Sequence, residues 1–297
     1  MEKLIAIMGT NASGKSSLGL ALAPKFNGEI VSADSRQVFR GLDLGSGKVT
    51  AEEQKICPHH LLDVVEPNNP FSVYEFQKLA YDAIDDIISR GKVPFLVGGT
   101  GLYVRAVTDG YNFVDGALDD QTKAELDSMS FEELKAEILK RDKNVELDFN
   151  NVPKRRLVAV LGKLISGQSV KTENKPRYKV LKLGLSWDRE VLKKRIWDRL
   201  EKRESEGMIN EVKGLLANGA TPEFLVSLGL EYRHIYYYIS GVYKTYEEYK
   251  QNLYKEICKF AKRQMTWFRK EKDIIWLDEK GDYQKQAEKL IKKFLSE

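Results

Sequence analysis

The chain has 297 residues, 42% of them apolar and 10% aromatic, which suits one large domain with an insert or two modest domains and excludes a disordered chain. A mean hydropathy of −0.43 leaves no apolar run able to span a bilayer, Met1 leads into KLIAIMG without a small-residue cleavage site, and Cys57 and Cys258 give neither a disulfide framework nor paired zinc spacing. The 48 basic against 44 acidic residues leave +4, and the expectation is a reduced, cytoplasmic globular protein with no membrane attachment and no obligate protein partner, compatible with a monomer.

Lys3–Met8 is a short aliphatic run stopped by glycine, which reads as a buried strand, and Ser16–Phe26 carries helical periodicity. Glu29–Ala33 and His60–Val65 read as the second and third strands. Ser72 followed by Glu75 is a capping box that opens a helix running to about Arg90, with Gly91 as its stop. Val93–Val97 is a fourth strand, broken by Gly98 and Gly99. Beyond Gly110 the pattern changes: Asp119–Lys143 and Pro153–Ser166 read as helices, followed by a polar stretch, Ser166–Tyr178. Val180–Leu185 returns to the sheet. Asp188–Ala217 and Tyr246–Arg269 are long helices, and Ile274–Leu277 precedes a closing amphipathic helix. The expected class is α/β: a P-loop-containing parallel sheet flanked by helices (1–111 and 180–297), with a mainly helical insert domain at 112–179.

GTNASGKS, residues Gly9, Thr10, Asn11, Ala12, Ser13, Gly14, Lys15 and Ser16, matches G-x4-G-K-[ST] in full and sits between a strand and a helix. Its glycines let backbone N–H groups turn toward phosphate oxygens, Lys15 adds a cation and Ser16 can hold magnesium. No aliphatic strand ends in the acid that a nucleotide hydrolase would use to hold its metal. Val93–Val97 ends instead in GGTG, Gly98–Gly101. The acid at a strand end is Asp34, in SADSRQ. Ligands of doubly wound sheets bind outside the carboxyl ends of the strands, so these three segments are expected to converge there. Asp34 then reads as a general base or a turn cap, and Thr100 as a hydroxyl at the reacting centre or part of a tight turn.

The net charge hides blocks of opposite sign. Asn151–Lys182 holds nine basic residues (Lys154, Arg155, Arg156, Lys163, Lys171, Lys175, Arg177, Lys179, Lys182) against Glu173, and Tyr254–Lys272 contributes a further +5, leaving −9 elsewhere. These are either a polyanion track or solvated helix faces. His59 and His60 are adjacent on a strand and point to opposite faces, which argues against a shared ion. Tyr232, Tyr236, Tyr237, Tyr238, Tyr243 and Tyr246 read as helix packing with polar tips.

GTNASGKS, ADSRQVFRGLDLGSGK (Ala33–Lys48), PHHLLDVVEP (Pro58–Pro67), FSVYEF (Phe71–Phe76), GGTGLYVRA (Gly98–Ala106) and AKRQMTWFRK (Ala261–Lys270) lie in order over most of the chain. Together they resemble the bacterial tRNA dimethylallyltransferases, which prenylate an adenosine beside the anticodon. The resemblance implies that the phosphate loop holds dimethylallyl diphosphate with Mg2+ and that Asp34 takes a proton from the adenine N6 amine. It also implies that Arg199 stabilises the departing diphosphate and that Thr100 lies near the amine. It assigns contact with the tRNA anticodon arm to Asp34, Ser35, Arg36 and Gln37, to Lys123, Lys154, Arg155 and Arg156 in the insert, and to Lys262, Arg263, Gln264, Trp267 and Arg269. The chain departs from the family pattern at Val158, Ile257, Cys258 and GLEYRH (Gly229–His234), all positions that the resemblance ties to RNA. Three other readings remain on the residues alone: a small-molecule or nucleoside kinase with ATP in the loop, an enzyme prenylating free adenine nucleotides, and an RNA-binding protein with a vestigial loop.

Overall fold

The computed structural model describes residues 1–113, 120–167, 170 and 174–297. Six strands, β1 (Lys3–Gly9), β2 (Gly28–Ser32), β3 (His59–His60), β4 (Val93–Gly98), β5 (Lys179–Leu185) and β6 (Ile275–Leu277), form one parallel sheet in the order β3-β2-β4-β1-β5-β6. The period-two alternation of β1 divides the core. Leu4, Ala6 and Met8 face α3 (Val73–Ser89) and α4 (Gly101–Thr108), whereas Ile5 and Ile7 face α1 (Lys15–Leu22) and the closing helix Tyr283–Ser296; a short α2 (Ala51–Ile56) precedes β3. Burial on both faces is why the central strands are aliphatic throughout. The capping box on Ser72 is formed, with Glu75 returning the bond, and Gly91 adopts φ 69° where α3 ends.

Three segments depart from the sequence reading. The third strand is two residues long: Leu61 and Asp63 take φ 63° and 56°, conformations a strand cannot use, and pairing resumes only as an isolated Phe39–Val65 bridge. Asp119–Lys143 is two helices, α5 (Asp120–Ser128) and α6 (Phe131–Arg141), because Ser130 and Glu133 form a second capping box that starts a new helix. Asp119 itself lies outside the described residues. Asp188–Ala217 is likewise α8 (Arg189–Ser205) and α9 (Met208–Ala217), separated by Gly207 at φ 101°.

Residues Tyr111–Lys175 form a compact unit of their own, in which α5, α6 and α7 (Lys154–Ile165) close over Leu126, Leu134, Ile138, Leu157 and Leu161. Met1–Gly110 and Pro176–Glu297 form the other. There, α8, α9, α10 (Pro222–Leu228), α11 (Leu230–Ile239) and α12 (Tyr246–Phe268) enclose a third core that takes in Val38, Phe39 and Leu42 from the segment after β2. The tyrosines pack as expected: Tyr232 is fully buried and Tyr238 stacks on Tyr249 at 5.1 Å. Among the described residues no helix is long and apolar enough to cross a membrane.

Glu29, only 2% exposed, gathers cations at the amino end of β2, beside the start of β4. The Arg90 fork meets it at 2.6 and 2.7 Å, Lys92 at 2.6 Å and His60 at 2.7 Å. Arg90 chiefly, opposed by burial and helped by Lys92 and His60, holds the carboxyl well below the ordinary glutamate value of 4.5. A depressed folded pKa contributes stability above that ordinary value and loses it as pH falls below. Thermal unfolding across acidic pH should therefore show a midpoint falling below pH ~4.5. Glu29→Gln should lower the midpoint at neutral pH and flatten that acid dependence.

Candidate active site at the strand ends

The sheet order places the carboxyl ends of β1, β4 and β2 side by side, and the loop that follows each carries a motif singled out by sequence. The phosphate loop leaves β1 at Gly9, where an added Cβ would meet Ser13 Oγ at 2.6 Å and the Leu185 carbonyl at 2.7 Å. Ala12 and Gly14 take φ 59° and 94° to close the turn into α1. Gly14 gives α1 no side-chain cap, so the N–H groups of its first turn face the loop without an intrahelical acceptor. The outer rim is fixed from α8 and its approach: Arg195 donates to the Ala12 carbonyl at 2.9 Å and Trp187 to that of Ser13 at 2.7 Å. Thr10 Oγ1 and Ser13 Oγ are buried with no hydrogen-bond partner among the described residues. Burial lowers the pKa of Lys15, against the pull of Asp34 and with the push of Arg203.

Asp34 follows β2. Its Oδ1 accepts the Arg36 N–H at 2.9 Å, so the turn-cap and base readings coexist in one carboxylate with a second oxygen to spare. The GGTG turn lies against it. Gly98 abuts the Ala33 backbone so closely that a Cβ there would collide, and Thr100 joins the two loops twice, through its N–H to the Ala33 carbonyl at 3.3 Å and through Oγ1, which accepts the Ser35 N–H at 3.2 Å. Tyr103, one turn along α4, is buried beside this carboxylate, and burial with the Asp34 charge raises its pKa.

Other expected contact residues are already engaged. Arg36 donates Nε and Nη2 to the Leu228 carbonyl and Nη1 to Glu231, and lies over the Phe260 ring. Gln37 accepts from Ser32 Oγ at 2.8 Å and donates to the Gly47 carbonyl at 3.1 Å. Gln264 on α12 accepts the Asn11 N–H and donates to the Gly99 carbonyl, both at 2.8 Å, clamping the phosphate loop to GGTG. Trp267 packs its indole on Gly101 and beside Phe268, with the Arg105 guanidinium 5.6 Å from its ring. Ser35 is half-buried, while Lys262, Arg263 and Arg269 are exposed on α12 and its end.

The basic block divides. Lys182 is 7% exposed and paired with Asp109 and Asp273, which makes it structural, whereas Arg177, paired with Asp85, and Lys179, paired with Glu297, stay exposed. Lys171, Glu173 and the Lys123 side chain lie outside the described residues. Lys154, Arg155 and Arg156 are exposed in the first turn of α7, where no acid accompanies them. Cations there oppose the helix dipole, typically by ~0.3–1 kcal/mol each, so helix stability does not account for them. Three positions at which the chain departs from the family pattern face inward: Val158 belongs to the core of the insert, and Ile257 and Glu231 are buried among α8, α11 and α12. His59 bonds the Cys57 carbonyl and His60 bonds Glu29, and the described residues hold no cluster of three potential metal-ligating His, Cys, Asp or Glu side chains.

Arg199 and Arg203 both point at Gly47, where a Cβ would collide with Nη2 of each. Sequence reasoning missed Arg195, Arg203, Glu211 and the clamp by Gln264. The four-residue spacing of Arg195, Arg199 and Arg203 puts them on one helix face and was a usable signal. Glu211 accepts the N–H groups of Asp43, Leu44 and Gly45 at 3.1, 2.6 and 3.0 Å, fixing the loop that carries Gly47; nothing local in sequence marks that contact.

The family model described as IPP transferase matches residues 37–271. The tRNA dimethylallyltransferase 2 of Shewanella sediminis is 44% identical over 290 residues, covering 96% of each chain. That of Carboxydothermus hydrogenoformans is 40% identical over 302 residues, covering 98% of this chain and 96% of its own. The solved full-length tRNA isopentenylpyrophosphate transferase from Bacillus halodurans aligns with TM-score 0.75 at 36% identity, over 100% of this chain and 96% of that one. A eukaryotic dimethylallyltransferase acting on tRNA aligns with TM-score 0.77 at 26% identity, over 94% and 74%. Replacing Gln264 by Ala removes both clamp bonds. Affinity for inorganic diphosphate with magnesium should fall about 10-fold by calorimetry, with the helical content of the chain unchanged.

Proposed function

The chain belongs to the IPP transferase family and transfers a prenyl group to tRNA, and we propose that Asp34, Thr100 and Arg199 carry that transfer from dimethylallyl diphosphate to N6 of the adenosine 3′ of the anticodon. The observation that supports these roles is the meeting of a phosphate cradle, a strand-end carboxylate and a cation pair along one edge of the sheet. The phosphate loop binds the diphosphate through its turned-in N–H groups, with Thr10 and Ser13 hydroxyls available beneath it. As N6 bonds to the allylic carbon, the carbon–oxygen bond to diphosphate breaks and its electrons leave with the oxygen. Asp34 takes the N6 proton. Lys15 and Arg199 face the negative charge that grows on the leaving group, and such fixed charges act without reorganisation at the moment of reaction. Thr100 ties the loop after β2 to GGTG and so sets where Asp34 stands.

The donors suit magnesium held chiefly by phosphate oxygens, since the loop offers the Ser16 hydroxyl in the first turn of α1 and no cluster of carboxylates. When bound there, magnesium neutralises charge on the diphosphate. The adenosine must leave its stack for N6 to reach this edge. Lys154, Arg155 and Arg156 on the insert, and Lys262, Arg263 and Arg269 at α12, supply exposed cations for the phosphates of the anticodon arm. Asp34, Ser35, Arg36 and Gln37 would border the extruded nucleotide. Of these, Arg36 and Gln37 act by holding the segment in shape. Gln264 and Trp267, tied into the core, serve the tRNA surface indirectly. A cytoplasmic location accords with a tRNA substrate.

Incubation with unmodified tRNA and dimethylallyl diphosphate should add one prenyl mass to the RNA, read by mass spectrometry. Consumption of ATP without that adduct would sink the assignment. Asp34→Asn should slow transfer by about 10²-fold or more while tRNA still binds. If these exposed cations, about six, each meet a phosphate, tRNA affinity should drop roughly 300-fold between about 50 and about 200 mM salt. A flat response in a filter-binding titration would remove the basic faces from the reading.

A further inference from the structure

Arg203 is 7% exposed, yet its Nη2 has no hydrogen-bond partner among the described residues. Its Nη1 makes two long bonds of 3.4 Å, to the Gly45 carbonyl and to Glu231 Oε1. Glu231 also serves Arg36 at 3.3 Å, so one carboxylate is divided between two guanidinium groups and saturates neither. A pair retained for stability alone could be replaced by packed apolar side chains, which are often at least as favourable in such a place. An unspent buried cationic donor points instead to an anionic ligand.

The surroundings say where that ligand lies. Arg203 and Arg199 line one cavity together with Asn11 and Ala12 of the phosphate loop. The charge of Arg203 is felt by Lys15, and that of Asp34 by Arg203. Gly47, at φ 65°, has no side chain to displace either guanidinium, and Gly45 lets the same loop lie flat on Tyr232. The loop is fixed in turn by Glu211 and by Gln37. Arg203 is therefore held on one side by Glu231 and the Gly45 carbonyl, while its Nη2, lying over Gly47, is left without a partner in a side chain that lines the cavity.

We propose that Arg203 is a second arginine of the donor site, whose Nη2 donates to an oxygen of the diphosphate beside Arg199 while Glu231 holds the guanidinium in place. This rests on the reading of the phosphate loop as a diphosphate site. Glu231 and Arg203 act as a unit in which the carboxylate lets the cation stay buried before the ligand arrives.

The test measures the affinity of inorganic diphosphate with magnesium by calorimetry, and the KM for dimethylallyl diphosphate, for wild type, Arg203→Met and Arg203→Lys. Met keeps the bulk and removes the donors. Its diphosphate affinity should fall about 10- to 100-fold, with KM for the donor rising in parallel and tRNA affinity unchanged. Lys keeps the charge without the fork and should lose less, but clearly more than about 3-fold. A folded Arg203→Met or Arg203→Lys protein that binds diphosphate as wild type does would overturn the proposal, even if its thermal midpoint had dropped. Should the Met variant not fold, the Lys variant decides by the same measure. Wild type that fails to prenylate tRNA defeats the parent reading, whereas transfer by wild type with normal diphosphate binding in the variants defeats only this one.

Discussion

The close approach of Gly98 to the Ala33 backbone is the contact on which the site depends. β4 lies between β1 and β2, so the turn after it must share space with both neighbouring loops. A side chain at position 98 would lift GGTG off the β2 loop, and Thr100 would lose its bonds to the Ala33 carbonyl and the Ser35 N–H. Gly99 repeats the requirement on the other side, lying 3.2 Å from Lys15 Cε and the Gly9 carbonyl by its absent Cβ and 2.9 Å from Gln264. Two glycines thus let a cation, a carboxylate and a hydroxyl occupy one corner of a parallel sheet. Strand order alone brings the loops near; the missing side chains bring them into contact.

Electrostatics then decides what the corner can hold. Burial depresses the pKa of both Lys15 and Arg203, and Asp34 offsets that for each. Glu231 and Glu211 add further compensation around Arg203. Cations kept charged by carboxylates that cannot reach all of their donors would suit an anion, because the cost of gathering like charges is met in folding and not in binding. Glu211 fits the same logic: it spends its oxygens on three backbone N–H groups and on Tyr232, so it sets a loop's shape and leaves the arginines free of a close second partner.

What sequence could and could not show follows from the range of each interaction. Local signals held: the Ser72–Glu75 box, the stop at Gly91 and the strand–loop–helix frame of GTNASGKS are contained in windows of a few residues. The breaks at Ser130 and Gly207 were equally local, but charged periodicity on both sides made each pair of helices look continuous. His60–Val65 looked like a strand because its composition is aliphatic, and only backbone turning at Leu61 and Asp63 ends it. Composition also misplaced Lys182, a cation in a basic run whose partners lie 73 and 91 positions away at Asp109 and Asp273. Gln264 was legible as part of a motif, while its task was not, because its two bonds cross 253 and 165 residues of chain.

That last contact explains why α12 carries both exposed cations and a half-buried glutamine. Lys262 and Arg263 face solvent on the turn whose next residue, Gln264, grips the phosphate loop and GGTG together. A load on the exposed side of this turn therefore acts on a segment hydrogen-bonded to both loops. Where RNA and donor favour the same arrangement of α12, each raises the affinity of the other by the same factor. The helices from α8 to α12 are thus more than a cover for the sheet. They provide Arg195, Arg199 and Arg203 from one helix and the loop clamp from another, so the chemistry at the strand ends is built as much by the helical layer as by the strands that locate it.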